Sequence, residues 1–314
     1  MKDIFADYHP FVNLCYFSFV IGVTMFIMHP IYLGISLLGG LFYACLLTGL
    51  RKTMKSFFLF TLPLMIFVAL INPMFNHYGV TILFYLYNGN AVTLESMLYG
   101  LAMAAMLCSV ILWFRSFNAV MTSDKLVYLF GRLIPSLSLI LSMCMRFIPR
   151  FQKRTEVISN GQKCIGRDFS NGSFAKKIRN GITILSILVT WSLENAIQTA
   201  DSMKSRGYGL KGRTAFSIYH LDKRDKKALF TMAGLAIIFL AGCMKGQAYA
   251  DYDPRIVITG LPLNPLSLVT IVSFTGFCLF PLILSALDYR HWTLLKKEIK
   301  KSQKVSYRLW EVES

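Results

Sequence analysis

The chain has 314 residues, 55% hydrophobic and only 16% charged, with a mean hydropathy of +0.52. Soluble domains carry roughly a quarter charged residues, so the composition is that of a membrane protein, and 25 Phe and 15 Tyr exclude intrinsic disorder. The seven Cys are dispersed through apolar runs without a CxxC pair or a Cys/His cluster, so no disulfide scaffold, metal centre, redox site or bound cofactor is expected.

A helix needs about 20 mostly apolar residues to cross the hydrocarbon core. Six stretches qualify: residues 11–28, 31–50, 57–75, 97–117, 228–244 and 261–287. Only His29-Pro30 separates the first two, which predicts a tight helical hairpin. Asn72-Pro73 is expected to break the third near its end, and Pro262, Pro265 and Pro281 leave the ends of the sixth open. Asp3 and Asp7 stand where a signal peptide would carry basic residues, so no cleavable signal is expected.

The formal net charge of +17 is distributed as a topology signal. Arg51, Lys52 and Lys55 follow the second span, twenty Lys/Arg lie between Arg115 and Lys227, and seven more lie between Arg290 and Arg308. Segment 76–96 has none. Six spans with both termini in the cytoplasm leave only Lys245 and Arg255 of the 33 cations outside. The same charge favours anionic inner-leaflet lipid and argues against a nucleic-acid partner.

The chain thus reads as an all-α polytopic membrane protein of about six spans. Four spans occupy residues 1–118 and two occupy 228–287; a cytoplasmic module of long amphipathic helices fills 119–227, and 288–314 form a basic tail. Pro135 can start a helix that runs to Gly166 and bends at Pro149. Asn171-Gly172-Ser173 signals a turn and an N-cap. A second helix is expected from Phe174 to Arg206, with Gly207 at its C-cap and one apolar stripe through Ile178, Ile182, Leu185, Val189, Ala196, Ala200 and Met203. If residues 182–191 crossed the membrane instead, the eight cations from Lys204 to Lys227 would become external, against the rule the other cations obey. Two arms with apolar faces must pack on each other, on the membrane surface or on another protein, which makes the module an interaction platform.

Two stretches carry a family resemblance. Met121-Thr-Ser-Asp-Lys-Leu-Val-Tyr-Leu-Phe-Gly-Arg-Leu-Ile-Pro135 with Met145-Arg-Phe-Ile-Pro149, and Ala200-Asp-Ser-Met-Lys-Ser-Arg-Gly-Tyr-Gly209, resemble the transmembrane coupling subunit of energy-coupling factor (ECF) transporters, which includes the CbiQ-like cobalt and nickel uptake subunits. The resemblance implies a non-catalytic subunit in a bacterial or archaeal cytoplasmic membrane. It implies two ATP-binding-cassette ATPases as partners, and a small membrane S-component that binds a vitamin or transition-metal ion. In this family each arm ends in a small-Arg-small motif whose Arg enters a groove on one ATPase. Carried over, Ser205-Arg206-Gly207 is the second motif. The first motif departs from the pattern: Ile165, before Gly166, takes the Arg position, and Arg167 and Lys163 flank it as substitutes, unless the contact there is apolar. Arg146 and Pro149 are expected to be structural, with Arg146 pairing with Glu156 or reaching towards headgroups.

The rival reading is a secondary carrier or channel. Among the six spans only Arg115, near an end, is charged, and no internal repeat is visible, so neither an ion path nor an inverted-repeat carrier is supported. A membrane enzyme is disfavoured as well, since no GxxxxGK[ST] loop, GxSxG elbow or HExxH pair occurs. A metal role for the scattered His9, His29, His77, His220 and His291 is not expected.

Overall fold

In the computed structural model, which describes residues 4–77, 79–85, 91–133, 135–167, 173–210, 219–260 and 264–313, two His-Pro pairs each start an apolar helix. Helices α1 (Pro10–Phe26) and α2 (Pro30–Thr48) have proline in the first turn, where its missing N–H costs nothing. The preceding histidines are the N-caps: His9 Nδ1 accepts the Phe11 N–H at 3.2 Å, and His29 Nδ1 accepts the Ile31 N–H at 3.3 Å. The remaining helices are α3 (Leu50–Ser56), α4 (Leu62–Phe75), α5 (Leu94–Val120), α6 (Ser123–Leu133), α7 (Pro135–Cys164), α8 (Phe174–Ser205), α9 (Lys223–Met244) and α10 (Pro265–Glu313). A π-helical turn, Phe57–Thr61, joins α3 to α4. Two short antiparallel pairs, β1 (Ile82–Tyr85) with β2 (Ala91–Thr93) and β3 (Ala250–Asp251) with β4 (Val257–Ile258), lie in the connections.

Contacts divide the chain into two units, Met1–Thr122 with Tyr219–Ser314, and Ser123–Ile218. The first holds five helices long and apolar enough to cross a membrane, α2, Leu50–Phe75, α5, α9 and Pro265–Lys296, together with the 17-residue apolar α1. Its core is aromatic. Tyr16, Phe17, Tyr43 and Trp113 are buried with ring centroids 5.3 to 6.4 Å apart, mostly edge to face, as ring quadrupoles favour. Their polar handles are satisfied: Trp113 Nε1 donates to Ser36 Oγ at 2.9 Å, and Tyr16 donates to the Cys278 carbonyl at 2.9 Å. Gly242 is required between α9 and α10, because a Cβ there would overlap Thr270 Cγ2.

The two ends of this bundle differ in charge. At one end the α1–α2 turn is tied to the α9–α10 connection, with Tyr252 donating to the Met28 carbonyl at 3.0 Å and His29 Nε2 lying 3.1 Å from the Thr259 carbonyl. Glu95 accepts from Thr81 at this end, and its cations are Lys245 and Arg255. At the other end lie Arg51, Lys52, Lys55, Arg115, Lys223, Arg224, Lys226, Lys227 and Arg290. Arg224 sits 4.3 Å over the Tyr8 ring there, and Arg115 reaches Thr48 Oγ1 at 3.4 Å.

One boundary expectation is corrected. The third span is not broken at Asn72-Pro73; α4 runs through Pro73 to Phe75, and the irregularity sits earlier, at the π turn. Proline removes the N–H that would bond the Ala69 carbonyl, and Gly100 of α5 lets the neighbouring helix approach that oxygen, 2.9 Å from where a Cβ would stand. Helix α10 passes through Pro281 and continues to Glu313, so the described part of the basic segment 288–314 is helical. Pro262 lies outside the described residues.

In the second unit α6 packs on α7, and α7 packs on α8. The turn expected at Asn171-Gly172 lies outside the described residues, and Ser173 stands at the N-cap of α8.

Candidate functional site

Helices α7 and α8 are 30 and 32 residues long, about 45 and 48 Å at 1.5 Å per residue. They pair antiparallel. Phe151 meets the Trp191 ring edge to face at 5.9 Å, and the Arg154 guanidinium lies 5.3 Å over the same ring. Nearer the start of α7 and the end of α8, a cleft of about 250 Å³ is lined by Leu139, Ser142, Met143, Arg146, Met203 and Arg206. A second, of about 340 Å³, shares Met143, Arg146, Met203 and Arg206 and adds Phe147, Arg150, Asn195, Gln198, Thr199 and Ser202.

Of the second-motif residues, Arg206 lines both clefts with Arg146, and Arg146 does not pair with Glu156 as expected. Arg146 and Glu156 are ten positions apart on the unbroken α7, about 15 Å along its axis, too far for an ion pair. Pro149 lies inside α7 and is exposed, leaving the Met145 carbonyl without its helical donor.

The two arms end in the same turn. At the end of α8, Gly207 adopts φ +78°, its N–H bonds the Lys204 carbonyl at 3.0 Å, and the Tyr208 N–H bonds the Met203 carbonyl at 3.0 Å. At the end of α7, Gly166 adopts φ +75°, its N–H bonds the Lys163 carbonyl at 3.0 Å, and the Arg167 N–H bonds the Gln162 carbonyl at 2.9 Å. Both are Schellman motifs, which glycine at positive φ permits. Position for position, Ile165 stands where Arg206 stands, and Arg167 stands where Tyr208 stands. Lys163 precedes this turn by two residues and Ser205 precedes Arg206; Ser205, Arg206, Ile165, Gly166 and Arg167 are all exposed. The turn alone is not diagnostic, because Lys245-Gly246 closes α9 in the same way. The two ends do not meet: Arg206 shares its cleft with Ser142, and Ile165 follows about 35 Å further along α7.

Of the apolar stripe of α8, only Met203 lines the clefts shared with α7, while Ile178, Ile182, Leu185, Val189, Ala196 and Ala200 are exposed. The rest of the cleft face of α8 is polar, Asn195, Gln198, Thr199 and Ser202, and Leu193 and Ile197, outside the stripe, are exposed too. Among the described residues of this unit, only Lys125, Ile158 and Asn180 are buried. A pair of arms with almost no interior of its own offers surface to partners rather than a pocket to a small molecule.

Sequence reasoning missed Arg150 and the polar cleft face of α8. The four-residue step from Arg146 to Arg150 was a visible signal of one helical face. The register that sets this face against Arg206 is a long-range pairing with no local signal.

Multiple apolar helices define an all-α multi-pass membrane protein, and it carries two long paired helices with little buried interior. No family model matches the chain. It is 34% identical over 110 residues to the energy-coupling factor transporter transmembrane protein EcfT of Lactobacillus helveticus, a match covering 34% of this chain and 40% of that protein. It is 36% identical over 108 residues to the EcfT of Lactococcus lactis subsp. cremoris, covering 34% and 41%. It is also 26% identical over 189 residues to an uncharacterized protein of Mycoplasma pneumoniae, covering 56% and 44%. The resemblance to ECF transmembrane components therefore holds over about a third of this chain, and the match spans about two fifths of the length of those EcfT relatives.

Proposed function

We propose that this chain is the energy-coupling and scaffold subunit of an ATP-driven ECF importer in a bacterial or archaeal cytoplasmic membrane. The carrying observation is the likeness to EcfT proteins over about a third of the chain, joined to Arg206 exposed in the turn that ends α8. Arg206 enters a groove on one ATPase subunit, with Ser205 and Gly207 keeping the backbone accessible. Ile165, Gly166 and Arg167 present the other end to a second ATPase. A guanidinium at a helix terminus stays charged and offers five donors to carboxylates and carbonyls. ATP hydrolysis belongs to those partners, and closure of the ATPase pair moves the arms.

The exposed stripe of α8 and the poorly buried Leu50–Phe75 segment, with Phe58, Phe60, Phe67 and Leu70 exposed, support two further partners: the lipid bilayer and a small S-component that carries a vitamin or transition-metal ion. The charged end of the bundle faces the cytoplasm in this reading, as inner-leaflet retention of Lys and Arg requires, and so do both termini. Residues 119–227 then form the cytoplasmic coupling module between membrane segments 1–118 and 228–287, with the basic 288–314 extension on the same side. Nucleic acid has no place in this reading.

Arg206→Glu tests the assignment. The variant is expected to insert into the membrane at normal yield and to lose co-purifying ATPase subunits. Retention of ATPases at the wild-type ratio would remove Arg206 from its role.

A further inference from the structure

We infer that Arg146 and Arg150 of α7 dock together with Arg206 into one carboxylate-lined groove of the ATPase at the α8 end. This inference rests on the ATPase-coupling reading above and adds its recognition chemistry. Arg146 and Arg150 are four residues apart and share a helical face with Met143 and Phe147. The antiparallel pairing sets that face against the last turns of α8, so three guanidiniums border two adjoining clefts of about 250 and 340 Å³. The other polar lining is neutral: Ser142, Asn195, Gln198, Thr199 and Ser202. Among the described residues, no Asp or Glu lines either cleft.

Three cations converging without an acid raise the local positive potential and select an anionic occupant. Guanidinium forks fit carboxylates in paired geometry, and the neighbouring amides and hydroxyls serve carbonyls and further carboxylate oxygens. The cleft is walled by Leu139, Met143 and Met203, so it receives side chains that project from a partner's groove as well as accepting charge. Guanidiniums also grip phosphates, but the amides of Asn195 and Gln198 beside them supply donors and acceptors that match the carbonyls and N–H groups of a protein groove, whereas a phosphate offers acceptors only. The α7 end has a different character, with Ile165 at the position of Arg206. Lys163 and Arg167 stand exposed at the α7 end, whereas the cleft-borne arginine cluster is at the α8 end, so its removal is expected to release one ATPase and not the other.

The test uses the full chain, tagged and extracted from its native membranes with its bound ATPases. The immobilised complex is washed with rising KCl, and the ATPases are followed by mass spectrometry and ATP hydrolysis. Arg146→Gln and Arg150→Gln are each expected to lower the KCl midpoint for release of one ATPase about twofold, and the double variant more, because exposed charge pairs weaken with screening. Lys153→Gln, exposed on α7 but outside both clefts, is expected to leave the midpoint unchanged. Release of that ATPase from both arginine variants at the wild-type midpoint overturns the inference. Variants that keep their ATPases but lose co-purifying anionic phospholipid assign the cleft to headgroups and overturn it too. A wild-type chain that holds no ATPase at any salt concentration overturns the coupling reading itself.

Discussion

His29 shows how one side chain sets a local geometry and a pH response. Its Nδ1 accepts the Ile31 N–H, so Nε2 must carry the proton donated to the Thr259 carbonyl. A second proton would displace the Ile31 N–H, and burial holds the ring below its ordinary value of 6.5. The folded state thus prefers neutral His29. Its contribution is fully present above 6.5 and is lost as the pH falls below that value, where the unfolded chain takes up the proton first. Thermal unfolding in detergent is expected to shift to lower temperature over this range, and His29→Gln is expected to flatten the shift; an unchanged slope would refute the assignment. In the core, Trp113→Phe removes the bond to Ser36 and is expected to cost about 1 kcal/mol, against about 3–5 kcal/mol for Trp113→Ala, read from unfolding midpoints of the purified chain.

Helix packing depends on a few close approaches. Gly242→Leu is expected to separate α9 from α10, because even a Cβ overlaps Thr270, and the folded yield in membranes should fall sharply. Gly207→Ala places a side chain at φ +78° and is expected to cost about 1 kcal/mol locally, fraying the end of α8 that presents Arg206. Limited proteolysis at Tyr208 would report that fraying, and equal cleavage rates would contradict it. Local chemistry explains which elements could be read in advance. His-Pro pairs begin α1 and α2, Pro135 begins α7, and Gly166 and Gly207 end the arms, each through backbone restrictions that act within a few residues. Pro73 was misread because α4 tolerates the lost N–H where Gly100 allows a neighbouring helix to pack against the freed carbonyl. That compensation comes from 27 positions further along the chain and leaves no mark near the proline.

At the scale of the whole molecule, charge and apolar length carry most of the fold, and long-range register carries the site. The apolar runs and the segregation of Lys and Arg follow from bilayer thickness and charge retention, which are properties of segments. The position of Arg206 at an arm end was legible from Gly207. The convergence of Arg146 and Arg150 on it was not, because an antiparallel helix pair with polar facing surfaces shows no distinctive periodicity. The proposed coupling role requires the α7–α8 arms to face the cytoplasm, where ATPases can reach them. Cys144 and Cys164, both on α7, are the two exposed cysteines among the seven, so they serve as built-in probes. A membrane-impermeant maleimide applied to intact cells should leave both unmodified, whereas inverted membrane vesicles should be labelled at Cys144 or Cys164, identified by peptide mass. Labelling of either residue in intact cells would place the arms outside and exclude that role.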